Sequence, residues 1–284
     1  MRSDLYVLGN ASIDVTLNVA RLPLAGETLM ASGIVRAPGG KGLNQAVVAA
    51  RTGAQVHFCA PIGTEPETAM LHAALARESF ASLRLIAAAL PTDLSTLVVA
   101  AGGENLIIST GDCADALTPE IAADFVRPMR PQDWLLVQGN LSEPTTWAAV
   151  SRAPNIIFNT APIRWISPRI LHAATIVIAN QVEASQITAS PDPTTPLGGQ
   201  TSIVTLGAEG CLLHHNGQTQ HFPAARITAI DSTGAGDTFC GVLAAHCAAG
   251  TDLPTAITHA QNAAALAVSR PGCFAALPRA EELS

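Results

Sequence analysis

The chain has 284 residues, 48% of them hydrophobic and 13% charged, with a formal net charge of −7. That composition supplies a sizeable core and excludes a disordered chain. An acidic chain with no basic run, and no Lys/Arg stripe interleaved with aromatics, is not expected to bind nucleic acid, and no apolar stretch reaches the ~18 residues of a membrane span.

Leu5–Leu8 reads as a first strand, followed by the turn Gly9-Asn10-Ala11-Ser12-Ile13-Asp14. Asp14–Val35 is extended and alternating, with a turn at Leu24–Gly26. Asn44–Arg51 is predicted as a helix stopped by Gly53, Val56–Ala60 as a strand and Glu67–Arg77 as a helix. Leu94–Ile108 is again extended, with a turn at Gly102–Gly103. Trp134–Gln138, Ile156–Asn159, Ile176–Ala179 and Ile203–Leu206 are short, nearly continuous apolar runs, the pattern of strands buried on both faces. Ser190–Gln200 is a Pro/Thr/Gly-rich loop, and two Ala-rich helices follow at Ala235–Ala249 and Pro254–Ser269. Alternation of strand and helix predicts an α/β fold with a mostly parallel sheet covered on both sides. The two alternating segments do not fit that sheet in sequence and are expected to form a small second sheet, or two plain surface hairpins.

The N-terminus enters the first strand with no cleavage-site pattern. The six cysteines form no CxxC pair and read as buried free thiols of a cytoplasmic protein, Cys240 and Cys247 at helical core spacing. His214 and His215 flank a turn and are expected to be solvated, and the eight histidines show no metal-ligand spacing. Trp134, Trp147 and Trp165 read as packing residues.

Four motifs carry chemistry. In Asp231-Ser232-Thr233-Gly234-Ala235-Gly236-Asp237, a glycine-rich turn opens a long helix. Such a turn offers unpaired N–H groups and the positive end of the helix dipole to an anion. A carboxylate there, Asp237, is repelled by that anion unless it removes a proton from an attacking hydroxyl; the pattern also fits a helix-capping aspartate. It is not a Walker A loop, because the terminal GK[ST] is missing. In Gly39-Gly40-Lys41-Gly42-Leu43-Asn44, glycines permit close approach of backbone to a ligand and Asn44 starts a helix, either offering donor and acceptor to a hydroxyl or simply capping. Lys41 can reach a phosphate, although such a lysine is more often exposed. Asp14 follows the first strand, at the sheet end where α/β ligands gather, unless it is only a solvated turn residue. Asn180 and Glu183, three apart after a strand, suit either a hydrated magnesium ion or a helix cap.

Together, in this order and over nearly the whole chain, these motifs resemble the ribokinase (phosphofructokinase-B) family of carbohydrate kinases. Asn159-Thr160-Ala161-Pro162-Ile163-Arg164 and Thr205-Leu206-Gly207-Ala208-Glu209-Gly210 resemble two further family segments. The resemblance implies a single three-layer α/β/α kinase domain over 1–284, with a small β-sheet lid from segments 14–35 and 94–108. It implies ATP-dependent phosphorylation of a primary hydroxyl of a small sugar, with Asp237 as general base and the amides of Gly234, Ala235, Gly236 and Asp237 as anion hole. Ser12, Asp14, Gly39, Gly40, Lys41, Asn44 and Asn140 would face the sugar. Asn180, Thr205, Gly207, Gly210 and Asn262 would face the nucleotide. Mg2+ would be held through Asn180 and Glu183. K+ would sit by Asp231 and Thr233, with carbonyls of the Val268–Cys273 turn. The family further implies a homodimer through the lid. A nucleoside or other small-alcohol kinase of the same family is the alternative, and a catalytically silent sugar-binding regulator is the rival from another class. Two departures bear on the sugar. Ser12 stands where the family usually has Asn, and Asn140 where it usually has Glu. The stretch between Glu183 and Ser202 is also short by a helix.

Overall fold

Short apolar strands alternate with helices along most of the chain. The computed structural model describes residues 3–102 and 104–283. The first elements are β1 (Leu5–Leu8), β2 (Ser12–Val19), β3 (Gly33–Gly39), α1 (Lys41–Arg51), β4 (Val56–Ile62), α2 (Thr68–Leu75) and β5 (Ser82–Ala87). Then come β6 (Asp93–Ala100), β7 (Asn105–Ser109), α3 (Asp112–Asp115), α4 (Pro119–Val126), β8 (Trp134–Gln138), α5 (Glu143–Val150), β9 (Asn155–Asn159) and α6 (Pro168–Ala173). The last are β10 (Ile176–Asn180), α7 (Gln181–Thr188), β11 (Thr201–Thr205), β12 (Cys211–His215), β13 (Gln218–Phe222), α8 (Ala235–Ala248) and α9 (Leu253–Val268).

Nine strands form one sheet in the order β13-β12-β11-β10-β9-β8-β1-β4-β5. Every pair from β11 to β5 is parallel, and β12 and β13 add an antiparallel hairpin at one edge. Period-two alternation sends Leu5 and Val7 to one face, packed with α1, α2, α8 and α9, and Tyr6 and Leu8 to the other, packed with residues of α4 to α7. Both faces are therefore apolar, which is why the strands read as continuous hydrophobic runs. The parallel arrangement brings the carboxyl ends of β1, β8, β9 and β10 to the same side.

The second sheet has four strands in the order β3-β2-β6-β7. Its root is tightly held. Only Gly9 to Ala11 separate β1 from β2, and Ser12 pairs with both Gly39 and Asp93. The Asp93 carboxylate accepts hydrogen bonds from the amides of Cys113 and Ala114, at 3.1 and 2.9 Å. Away from the root, Ile34, Val35, Ile107 and Ile108 are half or more exposed.

Several expectations need correction. The extended segments are strands over Ser12–Val19, Gly33–Gly39, Asp93–Ala100 and Asn105–Ser109, while 20–32 forms no strand. Gly103, expected in a turn, lies outside the described residues. Helix α1 begins at Lys41, so Asn44 lies within its first turn and is no cap. His214 is buried, with Thr219 Oγ1 at 2.8 Å and the Pro193 carbonyl at 3.1 Å, and is not solvated. Strands β5, β12 and β13 and helices α3 to α6 were not anticipated. The caps of α4 and α5 are nonetheless conventional: Thr118 and Ser142 accept from the third helical residue, and proline fills an early helical position. Between α7 and β11 the described chain forms turns only, as the shortened sequence implied. Trp165 stacks on Phe158 and Trp147 lies under Arg169, both packing roles. No described helix is long and apolar enough to cross a membrane.

Helix α8 touches the backbone of α1. A Cβ added at Gly241 would lie 2.4 Å from the Gln45 carbonyl oxygen and 2.4 Å from Val48 Cγ1. Gly241→Ala is expected to force the helices apart and lower stability by about 1–3 kcal/mol, the range for overpacking, read as an earlier urea midpoint. An unchanged midpoint would show that this approach is not tight.

Candidate functional site

The turn before α8 is a left-handed Gly234, φ 81°, followed directly by the first helical residues. Its conformation is fixed by Asp231, whose carboxylate accepts the amides of Thr233 and Gly272, each at 2.9 Å. The Ala235 amide donates to the Ser232 carbonyl at 3.3 Å, so one of the four amides expected to face an anion is already used. Among the described residues, the amides of Gly236 and Asp237 have no backbone acceptor, and a Cβ at Gly236 would meet nothing within 4 Å. Gly234 differs, because a Cβ there would lie 2.7 Å from Cys273 Sγ.

Asp237 is 6% exposed in the first turn of α8. Its two oxygens accept from the amides of the Asn44 and Gln45 side chains, at 3.2 and 3.0 Å, and Lys41 Nζ stands 3.9 Å away. This carboxylate holds the Lys41 ammonium above its ordinary pKa. Lys41 is thus paired, with about a third of its side chain exposed. Gln45 is fully buried and reaches further: it donates to Asn159 Oδ1 at 3.2 Å and accepts from Gln138 Nε2 at 2.8 Å. The ends of β8 and β9 are tied to Asp237 through this one side chain. Sequence reasoning gave no role to Gln45 or Gln138, placed Asn159 only in a family segment, and used Cys273 only as the end of a turn. The only signal was adjacency to Asn44. Cys273 Sγ accepts from Asn44 Nδ2 at 3.2 Å, and burial, then Asp237, push its thiol well above the ordinary range.

The glycines beside α1 are needed for contact between backbones. A Cβ at Gly40 or Gly42 would come within 3 Å of the Asn10–Ser12 or Gly9–Asn10 backbone. Gly39 leaves room for Asp14, whose carboxylate would be 2.0 Å from an added Cβ. Ser12 does not face outward. It is 1% exposed and its hydroxyl donates to Asp14 Oδ1 at 3.0 Å. Among the described residues, three buried amide oxygens, of Asn44, Gln138 and Asn140, have no donor. The Asn140 carbonyl accepts from Arg164, which also pairs with Asp115.

Asn180 and Glu183 form a reciprocal capping box at the start of α7, and Thr160 donates to the same Glu183 oxygen at 3.0 Å. The capping reading of this pair is therefore satisfied in full, and Glu183 Oε1 is left for another partner. Thr205 ends β11, and Gly207, φ 60°, would have open space about a Cβ. Gly210 has a packing role, since a Cβ there would lie 2.0 Å from the Phe222 carbonyl oxygen. Asn262 is exposed on α9. No group of three His, Cys, Asp or Glu able to hold a metal occurs among the described residues.

Burial lifts the Asp14 carboxyl from the ordinary 3.8 to about 6; the Ser12 hydrogen bond opposes this and the Asp237 charge adds to it. A carboxyl raised on folding binds more protons in the folded state, so its charged form opposes folding, fully above the folded value and not at all below the unfolded one. Asp14→Asn should therefore stabilise the protein above pH about 6 by about 1–3 kcal/mol, with the gain vanishing towards pH 3.8. Urea midpoints across that range check it, and a constant offset at every pH would contradict it.

A family model described as pfkB family carbohydrate kinase matches residues 2–280. The chain is 30% identical over 290 residues to a ribokinase of Bacillus subtilis, covering 99% of this chain and 98% of that protein. A ribokinase structure from Thermotoga maritima matches with a TM-score of 0.89 at 28% identity, over 99% of this chain and 98% of the other. The fold is shared with an Arabidopsis thaliana ribokinase complexed with ribose and ATP, TM-score 0.85 at 24% identity, over 100% and 98% of the two chains. Matched from one end to the other, this chain belongs to the pfkB family of carbohydrate kinases and is a sugar kinase.

Proposed function

We propose that the chain transfers the γ-phosphoryl group of ATP to a primary hydroxyl of a small sugar, with Asp237 as general base. The observation that carries this reading is a buried carboxylate, held by two amide side chains, beside free helix N-terminal amides and open space at Gly236. Asn44 and Gln45 orient the carboxylate but do not protonate it, so it can accept the proton of the attacking hydroxyl. The Gly236 and Asp237 amides, with the dipole of α8, oppose the charge that builds on the transferred oxygens. The small sheet acts as a lid of one kinase domain, and Asp14, Gly40 and Asn44 hold the acceptor. The donorless buried oxygens of Asn44 and Asn140 suit a ligand rich in hydroxyl donors.

When bound, magnesium neutralises phosphate charge. Asn180 and the unused Oε1 of Glu183 suit it through water, since this ion keeps much of its hydration shell. Oxygen donors at Asp231, Thr233 and the Val268–Cys273 turn suit an alkali cation, potassium. The exposed Ile34, Val35, Ile107 and Ile108 support a homodimer through the lid. Six free cysteines support a reducing, cytoplasmic setting.

Asp237→Asn should retain ATP and sugar binding and lose roughly 10²–10⁴-fold in kcat, the contribution of general acid–base catalysis. Near-normal turnover would remove Asp237 from this role. A sugar panel tests the acceptor, with an aldopentose or ketohexose that forms a furanose expected to lead. Asn at 140 has a shorter reach than Glu and no charge, so it opens space for a different configuration than ribose. The variant Asn140→Glu should raise kcat/KM for ribose relative to fructose. A flat response would show that this position does not set the preference, and turnover of nucleosides alone would overturn a free-sugar acceptor.

A further inference from the structure

We infer that Arg51 is a positioning residue for phosphoryl transfer: it latches loop 269–278 onto α1 and, through that loop, holds the turn that opens α8. The inference rests on the kinase reading for its catalytic part. Its structural part stands alone.

Arg51 ends the helix whose first five residues include Lys41, Asn44 and Gln45. Its guanidinium is shared between two tasks. Nε and Nη2 pair with the Glu78 carboxylate, at 3.0 and 2.5 Å. Nη1 donates to the carbonyls of Leu277 and Pro278, at 3.0 and 3.2 Å. The Phe274 ring lies 5.9 Å away, and the two charged side chains are only 17% and 10% exposed. A planar fork with five donors can make these four bonds at once, two of them to one carboxylate, and an ammonium with three donors cannot.

The other side of this loop meets the site at three places. The Gly272 amide donates to Asp231, the residue that fixes the glycine turn. Cys273 Sγ accepts from Asn44, the amide that also holds Asp237. The same sulfur packs so closely on Gly234 that a Cβ there could not be accommodated. Between these contacts the loop has one short 3-10 turn, Phe274–Ala276. A segment with so little structure of its own opens readily unless tied at both ends. Arg51 is the tie on the side away from the chemistry.

Removing Arg51 alone would leave Glu78 as a buried unpaired charge, so the informative variant is the double substitution R51M/E78M, which removes both charges and keeps the bulk. Cys273 is half-buried where the other five cysteines are fully buried, and it reports directly on the loop. Iodoacetamide alkylates it by attack of the thiolate on the CH2 carbon, expelling iodide and forming a thioether, with the thiol proton passing to buffer. Labelling by mass spectrometry, with C273A as the site control, is expected to be about tenfold faster in R51M/E78M, the change that accompanies ~1.4 kcal/mol of easier opening. Circular dichroism and the melting temperature are expected to report an intact fold. With saturating sugar and ATP, kcat should fall while the KM for ATP is unchanged, and R51K should fall between wild type and the double variant. Unchanged labelling in a folded double variant overturns the latch, whether or not the wild type is a kinase. Faster labelling with unchanged kcat in an active wild type overturns the positioning role. A wild type inactive on every sugar, with labelling still accelerated, removes the kinase reading and leaves the latch standing.

Discussion

The site depends on satisfying one buried carboxylate without an arginine. Asp237 is almost fully enclosed, and a charge so placed is costly unless it is hydrogen-bonded. A bidentate guanidinium would satisfy it and also occupy the lone pairs that the proton transfer proposed for Asp237 needs. The chain uses weaker partners instead: two carboxamides, a lysine 3.9 Å away and the positive end of α8. All three side chains come from the first five residues of α1. They reach only because Gly241 lets the two helices meet backbone to side chain.

That contact explains why the glycines are spread over distant parts of the chain. Gly40 and Gly42 let α1 start against the β1–β2 connection, Gly39 makes room for Asp14, and Gly234 makes room for Cys273. Most of these positions serve close approach inside the protein. Gly236 and Gly207 alone among the motif glycines face open space. The amide network then extends from Gln45 to Gln138 and Asn159, so the carboxyl ends of β8 and β9 share their geometry with the carboxylate.

Much of this was legible in the chain. The parallel sheet was visible because strands buried on both faces lose their polar alternation, and the α8 turn because its glycines stand beside an aspartate. The parts that escaped have physical reasons. Strand β13 is an edge strand of glutamine, threonine and histidine, and β12 has only the three apolar residues Cys211–Leu213 before two histidines, too short a run to mark a strand. Helices α4 and α5 are two turns long, too short for a clear period, although Thr118-Pro119 and Ser142 with Pro144 signalled their starts. Ser12 was expected to face a ligand; it shares the strand face of Asp14, but its hydroxyl is buried and spent on that carboxylate, and burial of this kind is not readable from one strand. Asn180 and Glu183 satisfy a capping box, a pattern that looks the same in sequence whether or not an ion is near. Arg51 is a helix-terminal arginine of ordinary appearance, and its partners lie in residues 78 and 277–278, distances no local pattern spans.

The clamped root of the small sheet has a mechanical consequence. Ser12, Gly39 and Asp93 share one level of the register; Asn10 accepts the amides of Gly42 and Leu43, and Asp93 is fastened to α3. A plate held this firmly at one edge has no free pivot and behaves as a cantilever. Displacement then grows with distance from the fixed edge. Any bending would be greatest at the ends of β2 and β6, at Val19 and Ala100, and least at Asp14, two residues from the root. Such a sheet can bend at its far rim while the groups nearest the carboxylate keep their spacing.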